Sequence, residues 1–209
     1  MKKIVAFLFI LSFISCKEKK EYDVIIRNGI IYDGSSGEPY KADIGINNDT
    51  IVLTGDLSGA TAKNEIDAKG NAVAPGFIDA HSHHAGGLFE NRGFEAAVSQ
   101  GITTVVIGQD GSSNFPLADF YKKLTDTSVV AVNIASYSGH NTIRDSILGK
   151  DFKRKATPDE IGKMKVLLKQ DMEAGALGLS TGLEYDPGIY SSNDEVLQLA
   201  KVVAPYSGR

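Results

Sequence analysis

The sequence has little of several features that mark particular classes of protein. It carries one cysteine in 209 residues, so no disulfide can form within the chain. Its apolar runs fall short of the ~20 residues that a membrane-spanning helix needs. It has no cluster of Lys and Arg interleaved with aromatics, and its net charge is −4, so nucleic acid is not an expected partner. The remaining composition, 42% apolar and 23% charged, is typical of a folded globular protein.

The N-terminus has the pattern of an export signal. A basic start precedes an apolar run over residues 4–14, which ends next to Cys16. This order is typical of a secretory signal peptide. Because the single cysteine ends the run and a charged tether follows it, we expect cleavage before Cys16, a lipid on its sulfur, and an exported protein anchored to a bacterial membrane. Residues 1–21 would then be signal and tether. The alternative is an ordinary signal peptide with an incidental cysteine.

Residues 22–74 predict a small β-sheet unit. Clusters of β-branched residues are separated by Asn28-Gly29, Asp33-Gly34 and Asn47-Asn48-Asp49. This spacing of turn-forming residues is typical of hairpins. The segment has few large aromatic side chains, so we expect it to complete its core against another part of the protein.

From residue 75 to residue 209 the pattern changes to apolar strands that alternate with amphipathic helices. Capping boxes that begin at Thr157 and Ser192 predict two helix starts. Alternation of this kind predicts parallel βα units, and apolar strands predict a sheet covered on both faces. A doubly wound sheet and a (β/α)8 barrel both fit this α/β pattern. The predicted strands are residues 76–81, 101–108, 128–136 and 176–180. Helices are predicted near residues 93–100 and 117–124 and after each capping box. A long connection is predicted between residues 136 and 157.

Three of the four histidines lie within four positions, in the stretch GFIDAHSHHAGG. Alternate side chains of a strand point to the same side, so His81 and His83 should project together, with Ser82 pointing away. In parallel α/β folds the C-terminal ends of strands bind ligands. Two adjacent imidazoles can bind a divalent ion such as Zn²⁺. The alternative, a polar loop that happens to contain histidines, is the weaker interpretation for a chain so poor in histidine.

Four segments carry a resemblance to a known family. They are APGFIDAHSHH, GITTVVIGQDGSS, SGHNTIR and GALGLSTGLEYDPGIYSSNDE. Together they resemble the D-aminoacylase (N-acyl-D-amino-acid deacylase) group of the amidohydrolase superfamily. The resemblance implies a metal-dependent (β/α)8 barrel, of which residues 75–209 would supply about the first four βα units. It also implies that residues 22–74 are part of a small β-sandwich accessory domain.

The resemblance also implies roles for individual residues. It makes His81 and His83 ligands of one or two Zn²⁺ ions. Asp110 stands where the family usually carries a metal-binding cysteine, and a carboxylate can take that place. His140, Arg144 and Tyr185 match family segments that contact substrate. The alternatives are loop structure for His140 and Arg144 and packing under a Pro-Gly turn for Tyr185.

The segment Gly178-Leu-Ser-Thr-Gly182 fits G-x-S-x-G, the nucleophile elbow of serine hydrolases. In a true elbow the chain turns sharply into a helix, whereas here a loop with Tyr185 precedes the next cap. No histidine follows Ser180 in this chain to act as its base. We therefore expect no catalytic role for Ser180 as a nucleophile.

The resemblance implies hydrolysis of a linear amide, an N-acyl-D-amino acid, by a zinc-activated water. The family's further histidine ligands and its general-base Asp are expected beyond Arg209, so we expect this stretch to be inactive alone. One alternative is a cyclic-amide hydrolase similar to dihydroorotases or hydantoinases. The other is a non-catalytic, truncated surface lipoprotein.

Overall fold

The computed structural model describes residues 20–127 and 130–208. It divides into two compact units between Pro75 and Gly76. The predicted signal segment and the predicted lipidation site Cys16 lie outside the described residues. Within the described ranges, every helix is too short or too polar to span a bilayer.

The first unit is built from five strands, β1 (Glu21–Ile31), β2 (Tyr40–Asn47), β3 (Thr50–Gly55), β4 (Thr61–Asp67) and β5 (Ala72–Val73). They form one sheet in the order β3-β2-β1-β4, and β5 also pairs with β1. The β1–β2 and β2–β3 pairs are antiparallel, whereas β4 runs parallel to β1. Tyr22, Ile25 and Leu57 are buried together and form the small core of this unit.

One predicted turn of the first unit is wrong. Asn28-Gly29 lies inside β1, where the register against β2 shifts between Ile26 and Gly29. Asn28 adopts a left-handed φ of 55°, and its N–H donates to the Asp43 carboxylate at 3.0 Å. A single left-handed residue suits a β-bulge as well as a tight turn, so the dipeptide alone does not distinguish the two.

The second unit alternates short parallel strands with helices. Its strands form two small sheets, one of three strands and one of two, and its helices connect them. The elements are β6 (Phe77–Asp79), α1 (Glu95–Val98), β7 (Ile102–Ile107), α2 (Leu117–Thr127), β8 (Asn133–Ser136), β9 (Ser138–Gly139), α3 (His140–Leu148), α4 (Pro158–Glu173), β10 (Leu179–Ser180) and α5 (Asn193–Val203).

Strand pairing in the second unit is parallel throughout the described residues. β7 lies between β6 and β8, and β9 pairs with β10. The α/β class predicted from the alternating pattern is therefore confirmed. Of the predicted strand over residues 128–136, Asn133–Ser136 pairs with β7, whereas residues 130–132 lie outside the strand and the first two lie outside the described residues.

The helix α4 begins at its predicted capping box. The Thr157 hydroxyl accepts a hydrogen bond from the Glu160 N–H, and the Glu160 carboxylate accepts one from the Thr157 N–H at 2.8 Å. At α5 only half of the predicted box forms. Ser192 caps the N–H of Glu195 at 3.1 Å, but the side chain of Glu195 turns into the interior.

The connection predicted between residues 136 and 157 contains the helix α3, which the sequence pattern did not indicate. Its N-cap is Gly139, which has no side chain to cap the helix. Three of its five buried residues are polar, namely His140, Asn141 and Arg144. The buried face therefore lacks the apolar periodicity by which an amphipathic helix is recognised.

The core of the second unit contains buried apolar side chains from β7 and from each of its longer helices. Val105 and Ile107 come from β7, and Met164, Leu168 and Leu199 come from α4 and α5. Full burial of one such side chain stabilises the fold by about 1.5–3 kcal/mol. This packing fixes the strands whose C-terminal ends carry the candidate site.

Candidate metal centre

Three metal-binding side chains lie just beyond the C-terminal ends of two neighbouring strands. β6 and β7 are adjacent and parallel, so the loops that follow them leave the sheet at the same edge. His81 and His83 follow β6, and Asp110 follows β7. The strand order therefore brings together residues that are 27 to 29 positions apart in sequence.

The donor atoms of these residues converge on one point. His81 Nε2 lies 3.5 Å and His83 Nε2 3.2 Å from the Asp110 Oδ2 atom. One potential ligand atom from each residue lies within 4.8 Å of the others. The two imidazole centroids are 5.2 Å apart; His81 and His83 are exposed, and Asp110 is half-buried. The cluster is therefore accessible to solvent.

This donor set fits a divalent metal ion. Two ligand atoms about 2.0–2.1 Å from a tetrahedral zinc lie roughly 3.3 Å from each other, which is close to the distances from Asp110 Oδ2 to the two imidazole nitrogens. Two imidazoles and one carboxylate suit Zn²⁺ and other first-row divalent ions. Three protein ligands also leave a coordination position open, which is typical of catalytic rather than structural zinc sites.

The loop after β6 is fixed so that alternate side chains point apart. Ser82 is buried, and its N–H donates to the Val106 carbonyl at 2.9 Å. Its hydroxyl lies 2.5 Å from His84 Nδ1, and the His84 ring packs against Phe94. His84 therefore contacts Ser82 and Phe94 and does not join the cluster of His81, His83 and Asp110. The Asp79 carboxylate accepts the His81 backbone N–H at 3.2 Å.

The loop after β7 is tied to the loop after β6. The Gln109 side-chain amide donates to the Ala80 carbonyl at 2.9 Å, next to His81. Asp110 adopts a left-handed backbone with a φ of 55°. Aspartate tolerates this conformation better than most residues, but it still requires support from its surroundings.

A cavity of about 650 Å³ opens beside the cluster. His83, Asp110, Asn114 and Tyr185 contribute to its walls, and the Tyr185 side chain is exposed there. The Nδ2 atom of Asn114 is buried and has no hydrogen-bond partner among the described residues. The structure thus places Tyr185 on the wall of the cavity beside the donor cluster and adds Asn114, which the sequence did not single out.

His140 and Arg144 lie elsewhere. Both side chains are 0% exposed. His140 Nε2 lies 2.9 Å from Glu195 Oε1, and Arg144 Nη1 donates to the same oxygen at 2.6 Å. In the structure both side chains are interior and bound to Glu195, and neither lines the cavity beside the cluster. Their contact with substrate stays a prediction. Glu195 was predicted only as a helix-capping residue, and its sequence position gives no sign of this role.

Comparison with known proteins agrees with the segments identified in the sequence. A profile of the amidohydrolase family matches residues 64–202. The D-aminoacylase of Alcaligenes xylosoxydans xylosoxydans is 34% identical over an alignment that covers 93% of this chain and 44% of that protein.

Solved structures show the same likeness. The N-acyl-D-glutamate deacylase of Bordetella bronchiseptica, complexed with zinc and a phosphonate mimic of the tetrahedral intermediate, matches with a TM-score of 0.85 at 32% identity, over 89% of this chain and 44% of that one. A D-aminoacylase with a binuclear metal centre gives a TM-score of 0.82 at 33% identity, over 90% of this chain and 44% of that one. The chain spans less than half the length of these relatives. Their agreement in sequence and structure confirms the predicted resemblance: the chain belongs to the amidohydrolase family.

Proposed function

We propose that the protein hydrolyses a linear amide, an N-acyl-D-amino acid, at the cluster of His81, His83 and Asp110. The observation that carries the proposal is the convergence of these three donors beside an open cavity at the ends of parallel strands. The relatives support the substrate class, since they are a D-aminoacylase and an N-acyl-D-glutamate deacylase.

In this proposal His81, His83 and Asp110 hold one or two Zn²⁺ ions. When bound, zinc supplies Lewis-acid polarisation of a carbonyl and lowers the pKa of water to about 7. These three ligand residues come from two neighbouring loops, and the cavity lies beside them. We assign no general base among the described residues.

Tyr185 and Asn114 would orient the substrate within the cavity. The Tyr185 hydroxyl and the Asn114 amide are donors that suit the carbonyl and carboxylate oxygens of an N-acyl amino acid. His140 and Arg144 would act only indirectly, because they hold α3 against α5 through Glu195.

The experiment is a hydrolysis assay on the whole protein that the gene encodes, loaded with zinc. The panel contains N-acetyl-D-amino acids, their L enantiomers, and the cyclic amides hydantoin and dihydrouracil. We expect cleavage of the D series, loss of activity in His83→Ala, and a raised KM in Tyr185→Phe and Asn114→Ala. Activity on cyclic amides alone, or none on any amide, would overturn the proposal.

We further propose that the parallel strands of the second unit are the first strands of a (β/α)8 barrel and that the first unit is part of an accessory β domain. The parallel order β6-β7-β8 and the likeness to the two relatives support this. A crystal structure of the whole protein tests it, and an open, doubly wound sheet would contradict it.

Export and lipid anchoring at Cys16 also stand as a proposal, supported by the sequence pattern of residues 1–21. The wild-type protein should partition with membranes on cell fractionation, and Cys16→Ala should appear in the soluble fraction. Equal partitioning of both proteins would refute the anchor.

A further inference from the structure

The Ser180 hydroxyl, in the segment that fits the serine-hydrolase motif, is bonded to backbone rather than to a base. Its Oγ donates to the Gly108 carbonyl at 2.6 Å and accepts the Gly111 N–H at 3.2 Å. These partners are 72 and 69 positions away in sequence. The hydroxyl proton is therefore engaged with a carbonyl oxygen, which is unsuited to activating a nucleophile.

The two partners of Ser180 stand on either side of Asp110. Gly108 is two residues before it and Gly111 directly follows it. One hydroxyl thus fixes both ends of the short loop that carries the carboxylate ligand. The left-handed backbone conformation of Asp110 is unfavourable for a residue with a side chain, so the loop requires stabilising contacts from its surroundings.

The same motif makes a second close approach to this loop. A Cβ atom at Gly182 would lie only 2.1 Å from the Asp110 carbonyl oxygen, so a larger residue could not occupy this position without moving the loop. The Thr142 N–H also donates to the Gly111 carbonyl at 3.1 Å. The Ser180 side chain and the Gly182 backbone therefore shape the position of Asp110.

We propose that Ser180 is a positioning residue of the metal site. Its hydroxyl holds the Gly108–Gly111 loop so that Asp110 Oδ2 stays within reach of His81 Nε2 and His83 Nε2. The inference rests on the proposed function, because it assumes that these three residues bind the metal. It assigns the serine of the G-x-S-x-G segment to ligand placement rather than to nucleophilic attack.

The test compares Zn²⁺ affinity in variants of the whole protein, measured by competition with a chromophoric chelator. We expect Ser180→Ala to bind Zn²⁺ roughly tenfold more weakly, the lower end of what is typical for loss of a group that supports a metal ligand. Ser191→Ala is the matched control. Ser191 is also half-buried and donates to a glycine carbonyl, that of Gly188, at 2.7 Å, but it does not touch the Asp110 loop. Its affinity should equal that of the wild type.

Two further variants separate the possible results. Ser180→Thr keeps the hydroxyl and should bind Zn²⁺ with about the affinity of the wild type. This recovery is not expected if Ser180→Ala weakens binding only through a general loss of structure. His83→Ala reports on the site itself. Wild-type affinity in Ser180→Ala together with weak binding in His83→Ala would overturn the role of Ser180 and leave the metal site standing. Undiminished binding in His83→Ala would instead overturn the proposed function.

Loss of folding in Ser180→Ala would still leave a decisive measurement. Amide hydrogen exchange of Gly111 in the metal-free wild type reports directly on the bond to Ser180. We expect this amide to be protected, and exchange at the rate of an open loop would overturn the inference.

Discussion

Among single residues, Glu195 carries a buried charge that is paired with two side chains of another helix. Its carboxylate is fully buried and accepts hydrogen bonds from His140 and Arg144. Burial raises the pKa of this carboxyl, but the hydrogen bonds from His140 and Arg144 outweigh burial and hold the pKa below its usual value. The buried ion pair links α3 to α5, and removal of either charge would leave the other without compensation.

We predict that Glu195→Gln lowers the free energy of unfolding by about 3 kcal/mol at pH 7, because Arg144 then stays buried without a counter-charge. Urea denaturation measures the change. Glu184→Gln, at an exposed position, is the control and should lie within about 0.5 kcal/mol of the wild type. Equal stability of the wild type and Glu195→Gln would contradict the role given to the buried pair.

The stabilising effect of Glu195 should depend on pH in a defined direction. The pKa of the Glu195 carboxyl is lower in the folded state than in the unfolded state, where it is about 4.3. The ionised carboxyl therefore contributes to the free energy of unfolding at pH values above about 4.3, and this contribution is lost as the pH falls through the pKa of the folded state. The stability difference between wild type and Glu195→Gln should therefore narrow below about pH 4. A difference that stays constant in urea titrations down to pH 3 would contradict this.

The sequence predicted part of the candidate site at this scale. His81 and His83 follow from the strand period, and Asp110 from a family resemblance; the structure brings these three together, and metal binding itself stays a prediction. The contacts of Ser180 and Glu195 were not predicted, because their partners are 51 to 72 positions away in sequence. Local patterns do not encode such contacts.

At the scale of elements, two similar capping sequences give two different helix starts. At α4 the box closes in both directions between Thr157 and Glu160. Arg154 and Thr157 hold the pKa of the Glu160 carboxyl below its usual range. At α5 the side chain of the equivalent residue, Glu195, is buried in the interior and does not take part in the cap. Both helix starts could be predicted from sequence, but the use of each glutamate depends on what lies beside the helix.

We predict that Thr157→Ala lowers the free energy of unfolding by about 1 kcal/mol, because it removes the side-chain acceptor for the Glu160 N–H. Thermal or urea unfolding measures the loss. Thr181→Ala, an exposed threonine outside any helix, is the matched control and should change stability by less than about 0.5 kcal/mol. If both variants unfold alike, the cap does not stabilise α4.

At the scale of the whole molecule, the alternating pattern predicted the α/β class but left the choice between a doubly wound sheet and a barrel open. Strand periodicity reports which faces are buried and says nothing about how a sheet closes. The family was identified from composite motifs, and the comparisons confirm it. The chain spans 44% of the length of these relatives, so the activity of the whole protein stays a proposal.

The most direct test of the account is the zinc content of the whole protein after extensive dialysis, measured by elemental mass spectrometry. His83→Ala removes one donor of the cluster. His84→Ala is the matched control, because this neighbouring histidine binds Ser82 instead. The account predicts that the wild type and His84→Ala keep the same zinc content and that His83→Ala loses zinc. Equal zinc in all three proteins, or none in the wild type, would contradict a metal site at His81, His83 and Asp110.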